Sequence, residues 1–324
     1  MKHIGAAVLA ILFSSSAFGA VMMQVTEKYP NGASKEITYF NEGLEVARET
    51  IDEKGGITRT GKIPDGMVIK RYESGKLMEQ CVFKGEKREG LSTKYYKNGK
   101  PLESAPYKDG KRDGLVKEYH ENGQLEEEEN YKAGVLSGSA KEYFESGRIN
   151  TEGNYADGKE EGLMKWYGES GKIEGEILYK GGKLDGVSRW YGSSGELDVE
   201  SSYKDGKLDG ASKWYFSGGK LKKMEFYKEG TREGIGRLFF KSGGIKAEIN
   251  YKNGKKEGLA KQYYRNGKLM SEESYKEDKL EGKSRGLYKN GVIKFEDIYK
   301  NGEKTEGRKY DEDGRLEAII PAAK

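Results

Sequence analysis

Residues 251–275 read YKNGKKEGLAKQYYRNGKLMSEESY and hold one full period of the chain. The tyrosine that opens this stretch returns 24 residues later as Tyr275, and its column runs back through Tyr227, Tyr203, Tyr179, Tyr155, Tyr131 and Tyr107 to Phe83 and forward to Tyr299, with no insertion or deletion. A period held this strictly marks an array of one supersecondary unit stacked on copies of itself. Function is then expected on an extended surface.

Taking the grid aromatic as position 0, glycine fills position 7 from Gly66 to Gly282 and position 16 from Gly75 to Gly291. A second aromatic fills position 12, from Tyr95 to Tyr263, and Leu or Ile fills position 18, from Leu125 to Ile293. Asn253-Gly254 and Asn266-Gly267 tolerate positive φ and let the chain reverse tightly, so each period has two turns. The segments between them, LAKQYY at 259–264 and LMSEESY at 269–275, are rich in aromatic and aliphatic residues and too short for ordinary helices. The expected fold is all-β: tandem 24-residue hairpins forming an elongated, twisted antiparallel meander.

Composition alone points elsewhere. With 35% charged residues, 47 glycines and 34% hydrophobic residues, the chain leans toward the disordered class, and only the periodicity opposes that reading. The 23 tyrosines supply ring area to bury while keeping each hydroxyl near water, which suits a thin sheet.

Charge is nearly balanced, 58 basic residues against 54 acidic. Position 10 is basic from Lys117 to Arg285 and position 21 is mostly Glu, at 128, 152, 176, 200, 248, 272 and 296. These columns fall on alternate strands and read as a structural ladder of unlike charges, each pair contributing about 0.2–1 kcal/mol. Lysine at position 1, with Asp or Glu at position 6 in most repeats, reads as local compensation around the turn, with contact to anionic lipid or glycan as the weaker reading.

The N-terminus carries Lys2, an apolar run from Ile4 to Phe13 and small residues up to Gly19, the pattern of a signal peptide cleaved after Gly19. The run is too short for a permanent span, so an exported protein, periplasmic or secreted, is expected. Cys81 is the single cysteine and is expected as a half-buried strand residue.

Catalytic chemistry finds few parts. His3 lies in the expected leader and His120 stands alone at an aromatic position, so His-based metal sites and triads lack their members. Gly282-Lys283-Ser284 resembles the end of a phosphate loop, but Glu277 stands where that loop needs glycine. The expectation is a non-enzyme without cofactor or metal. A net charge of +4 and a glutamate column along the sheet argue against nucleic acid as partner.

The repeat Y-K-x-G-K-x-x-G followed by Y-x-x-x-G-x-L resembles the MORN-repeat variant that makes up bacterial proteins grouped as the YwqK-type antitoxin family. It departs from the familiar Y-x-G-x-x-x-x-G pattern by placing the first glycine one residue further from the Tyr. The resemblance implies a β-hairpin array serving as a non-enzymatic binding or scaffolding surface, toward a protein partner or an envelope component. For some members it implies immunity against a cognate toxin. It carries no catalytic residue.

The expected organisation is a signal peptide at 1–19, degenerate repeats acting as a cap at 20–65, the regular array at 66–316 and a loose tail at 317–324. Within the array, Trp166, Trp190 and Trp214 fill position 11 in three consecutive repeats where the flanking repeats have Glu142 and Leu238. They form one column with indoles roughly 10 Å apart, on the side opposite the main tyrosine columns, and are the candidate partner contact, the alternative being burial of the column as packing if the sheet coils on itself.

Overall fold

A computed structural model describes residues 19–321, so the expected leader lies outside the described residues up to Gly19, its last position. Every regular element among the described residues is a β-strand, and the strands form antiparallel meanders of tandem hairpins in an open sheet. Packing divides the chain between Val135 and Leu136, inside the repeat array, into two compact units.

One repeat of the second unit shows how the sequence makes the hairpin. Strand Gly162–Tyr167 pairs with Ile173–Lys180, with Met164 opposite Ile177. The loop between them closes when the Gly168 N–H donates to the Lys172 carbonyl at 2.9 Å and the Gly171 N–H to the Gly168 carbonyl at 2.8 Å. Gly171, at position 16, has φ +79°, the left-handed residue that a three-residue hairpin loop needs. Ile173–Lys180 then turns through Gly181-Gly182, φ +56° and +80°, with Lys180 opposite Lys183. Two successive positive φ values make a type I′ turn, whose twist matches that of the flanking strands. In the next repeats the same two places are taken by Asp205-Gly206 and Glu229-Gly230, and by Asn253-Gly254.

The glycines at position 7 do a different job. Each lies just beyond the tight turn, in an irregular stretch of the return strand, and faces a grid aromatic across the hairpin: Gly186 opposite Tyr203, Gly210 opposite Tyr227, Gly234 opposite Tyr251. The first unit repeats the pairing with Gly66 opposite Phe83 and Gly114 opposite Tyr131. A φ of +117° at Gly186 excludes most other residues, and a Cβ there would collide with the Leu178 side chain.

The acidic column at position 6 also has a specific task. The Asp185, Glu233 and Glu281 carboxylates accept the first turn N–H of the following repeat, from Asp205 at 3.3 Å, Asn253 at 2.9 Å and Asn301 at 2.7 Å. The second turn N–H donates to backbone of the preceding repeat, as from Gly206 to the Leu184 carbonyl at 2.8 Å. In each unit, successive turns are therefore tied in a row, and backbone donors that a lone hairpin would leave to water find partners.

Strand alternation gives the sheet two different faces. Positions 0, 9, 11, 20 and 22 share one, where Met164, Ile177, Ser188, Ser201 and Ser212 are buried. Grid tyrosines cover it: a Cβ on Gly236 would lie 3.1 Å from the Tyr251 ring. Cations at position 5 lie over rings in several repeats, as Arg232 does over Tyr251 at 5.2 Å and, in the first unit, Arg112 over Tyr131 at 5.4 Å. Positions 8, 10, 12, 21 and 23 share the other face. There Arg189 and Lys213 both reach Glu200 at 3.0 Å, Arg237 reaches Glu248 at 2.8 Å, and the Tyr167 hydroxyl donates to Glu152 at 2.6 Å. Burial and that bond push the Tyr167 hydroxyl up to about 12.

The first unit begins with four antiparallel strands, Val21–Lys28, Ser34–Asn41, Leu44–Ile51 and Ile57–Gly61. Its first strand also pairs parallel with Gly66–Arg71, setting Val21 opposite Val68. That insertion creates a compact core of Val21, Met23, Tyr39, Ala47, Ile63, Val68, Cys81 and Phe83. Cys81, expected half-buried, is buried, because Val68 and the added strand close over it. In the second unit, Leu316–Pro321 pairs with Glu303–Tyr310, so residues 317–321, set apart as a tail by sequence, continue the sheet.

Candidate binding surface

The strands Gly162–Tyr167, Gly186–Tyr191 and Lys207–Tyr215 carry Trp166, Trp190 and Trp214, each one residue before the closing tyrosine. Gly175 pairs with Trp166 on one side and Trp190 on the other, and Val199 pairs with Trp190 and Trp214. The row across the sheet is thus Trp166, Gly175, Trp190, Val199, Trp214. It lies within the second unit.

Two features differ from the sequence expectation. The ring centroids of Trp166 and Trp190 are 6.0 Å apart with planes at 35°, closer than strand spacing implies, because Gly175 has no side chain to hold them apart. A Cβ on Gly175 would lie 2.7 Å from Trp190 Cζ3, so this indole occupies the space that a side chain at 175 would take. The tryptophans also oppose only one of the tyrosine columns: position 12 points to the charge-ladder face, whereas position 0 shares the tryptophan face. Positions 9 and 11 of one strand and positions 20, 22 and 0 of the next meet on one side, and sequence offset alone does not reveal that.

Trp190 is 43% exposed, and Trp166 and Trp214 are half-buried. The Lys223 ammonium sits 4.5 Å from the Trp214 centroid, a cation–π contact within the chain.

Sequence reasoning met position 13 only through His120 and passed over its break beside the row. Position 13 is aromatic in most repeats, and in the second unit the Tyr264 hydroxyl donates to the Leu287 carbonyl at 2.7 Å, bracing the hairpin end. In the Trp166 and Trp190 repeats that position is Gly168 and Gly192. The carboxylates of the bulged position 19 fill the vacated space: a Cβ on Gly168 would collide with Glu174 Oε1, and one on Gly192 would lie 3.1 Å from Asp198 Oδ2. The break in the position-13 column, in two of the repeats that gain tryptophan, was visible on the grid. The apolar residue of position 8, part of the repeat pattern, was given no role. Leu163, Val187, Ile235 and Leu259 stand exposed on the charge-ladder face beside Leu178 and Phe226.

Among the described residues, no group of three His, Cys, Asp or Glu side chains could hold a metal ion.

The geometry defines a class: a tandem β-hairpin repeat protein that presents rows of side chains on an open sheet. The chain belongs to the MORN repeat variant family, whose model matches nine tandem segments, 88–109, 112–133, 136–157, 160–180, 184–205, 208–229, 232–253, 256–277 and 280–301. No curated protein matches the sequence. Among solved structures, the chain is similar to a TcdB2-TccC3-Cdc42 crystal structure at 11% identity and TM-score 0.19, covering 93% of this chain and 20% of that one. It therefore spans about a fifth of that chain's length. A selenomethionine-substituted virginiamycin B lyase from Staphylococcus aureus matches at 11% identity and TM-score 0.14, covering 90% of this chain and 91% of that one. A putative 6-phosphogluconolactonase from Bacteroides fragilis matches at 12% identity and TM-score 0.12, covering 94% and 84%. Likeness this low carries no functional argument.

Proposed function

We propose that this protein is an exported, non-enzymatic binding or scaffold protein of the bacterial envelope that engages a protein partner through the Trp166–Trp190–Trp214 row. The observation that carries this reading is the row itself. Three indoles, the rarest side chain of the chain's aromatic set, stand side by side on one face, and the central one is 43% exposed. Tryptophan is enriched where interfaces concentrate their binding energy, and a rigid sheet presents it at little entropic cost. The signal-like segment before Gly19 supports export.

Site-specific photo-crosslinking tests the reading in intact cells. A benzophenone residue at Val199, within the row, should give a discrete protein adduct in the envelope fraction, whereas the same residue at Phe226, on the opposite face, should not. Equal adducts at both positions, or none at Val199, would remove the row from the proposal. Recovery of the chain with Met1 intact from cytoplasm alone would remove export.

A further inference from the structure

Resting on the reading of the tryptophan row as a contact surface, we propose that its Trp166–Trp190 half receives a cationic side chain, arginine foremost, from a basic segment of the partner. The reason is a contrast within the second unit. Around Trp214 the chain supplies its own cations: Lys223 lies 4.5 Å from the Trp214 centroid and Lys222 lies 5.9 Å from Phe216. At the hairpin end of a later repeat Lys294 lies 5.6 Å from Tyr288 in the same way. Trp166 and Trp190 carry no such cation among the described residues.

What flanks them instead is negative. Position 19, Lys222 beside Trp214 and Lys294 in the later repeat, is Glu174 beside Trp166 and Asp198 beside Trp190. Both carboxylates are exposed, and neither forms an ion pair or hydrogen bond among the described residues. Gly168 and Gly192 remove the rings that stand at position 13 in most repeats, and the acids fold into that space, each one residue before the residue that pairs with Trp166 or Trp190 in the row. Two tilted aromatic faces with a carboxylate beside each attract a cation twice over, through the ring quadrupole and through charge. A guanidinium suits the arrangement because it can stack on an indole while its N–H fork meets a carboxylate.

The protein carries its own reporter, since Trp166, Trp190 and Trp214 are its only tryptophans. Titrating the full chain with acetyl-tetra-arginine amide should change tryptophan emission saturably, and acetyl-tetra-glutamine amide should not. Substituting Glu174→Gln together with Asp198→Asn should weaken the arginine peptide about tenfold or more, with thermal melts that overlay the parent. Three results would overturn the inference: equal affinity for both peptides, unchanged affinity in the folded double variant, or no saturable change with either. A Val199 adduct combined with any of these leaves the contact surface standing and removes only its preference for cations.

Discussion

Gly175 lies beneath the indole of Trp190, close enough that a single added carbon would meet Cζ3 at 2.7 Å. This contact sets the geometry of the tryptophan row, since it lets two indoles from strands two apart approach to 6.0 Å. Gly175→Ala is expected to push Trp190 outward and to cost about 1–3 kcal/mol, the usual range for overpacking a close-fitted site. Urea unfolding followed by far-UV circular dichroism reads the stability, and the emission maximum should move to longer wavelength as the indole gains water. An unchanged melt with unchanged emission would mean that the indole does not rest on the glycine.

The facing of Gly186 and Tyr203 makes a second test. Gly186→Ala places a Cβ at φ +117° and against the Leu178 side chain, so strain and collision act together. A loss of about 1–3 kcal/mol is expected. Gly206→Asn, in the tight turn, is the control, because Asn tolerates left-handed φ and a Cβ there meets nothing within 4 Å. It should cost well under half as much. Equal losses would place the position-7 glycines among ordinary turn residues.

The charge ladder predicts an acid-sensitive fold. The bond from Lys213, followed by that from Arg189, holds the Glu200 carboxyl below the usual range, and Arg237 does the same for Glu248. A carboxyl with a depressed folded pKa stabilises the fold above its unfolded value of about 4.3, and that stability is lost as pH falls through the folded value. Stability should therefore decline below about pH 4.5. Glu200→Gln with Glu248→Gln should lower stability at pH 7 and flatten the decline, measured by urea midpoints from pH 7 to 3. A parallel profile for parent and variant would assign the acid sensitivity to other groups.

Cys81 gives a probe of the first unit alone. Burial pushes its thiol up to about 11, and its Sγ lies 3.8 Å from the Val68 carbonyl. At pH 8 a disulfide-exchange reagent is expected to react with native protein at least 100-fold more slowly than with urea-unfolded protein, because the thiolate is scarce and enclosed. Comparable rates would show that the Val21–Lys28 strand does not close over the core.

The tie between Glu233 and the Asn253 N–H, 2.9 Å long, tests the role of position 6. Glu233→Ala should cost about 1 kcal/mol, the net worth of a hydrogen bond to an exposed turn, and Glu233→Asp less. Hydrogen exchange at Asn253 should accelerate in the alanine variant. No acceleration would return the acidic column to simple charge compensation.

The hairpin array was legible in the residues because its signals are local. A two-residue turn needs positive φ at both places, a strand of six to eight residues needs apolar alternation, and a 24-residue grid that never slips leaves one way to stack them. The pairing of basic position 10 with Glu at position 21 followed from the same grid. Sequence spacing could not place the two tyrosine columns on opposite faces, because that depends on the irregular stretch after each turn, where the return strand holds extra residues relative to its partner. Nor could it show that Val21–Lys28 inserts parallel to Gly66–Arg71, a long-range pairing that no local pattern encodes. The tryptophan column was read from position 11. Its closeness was set by Gly175 across the strand, and its acidic flank by Glu174 and Asp198 filling the space over two glycines. Local backbone preference and periodicity are written along the chain, whereas which side chains meet is decided by register, and register is fixed only when the strands have paired.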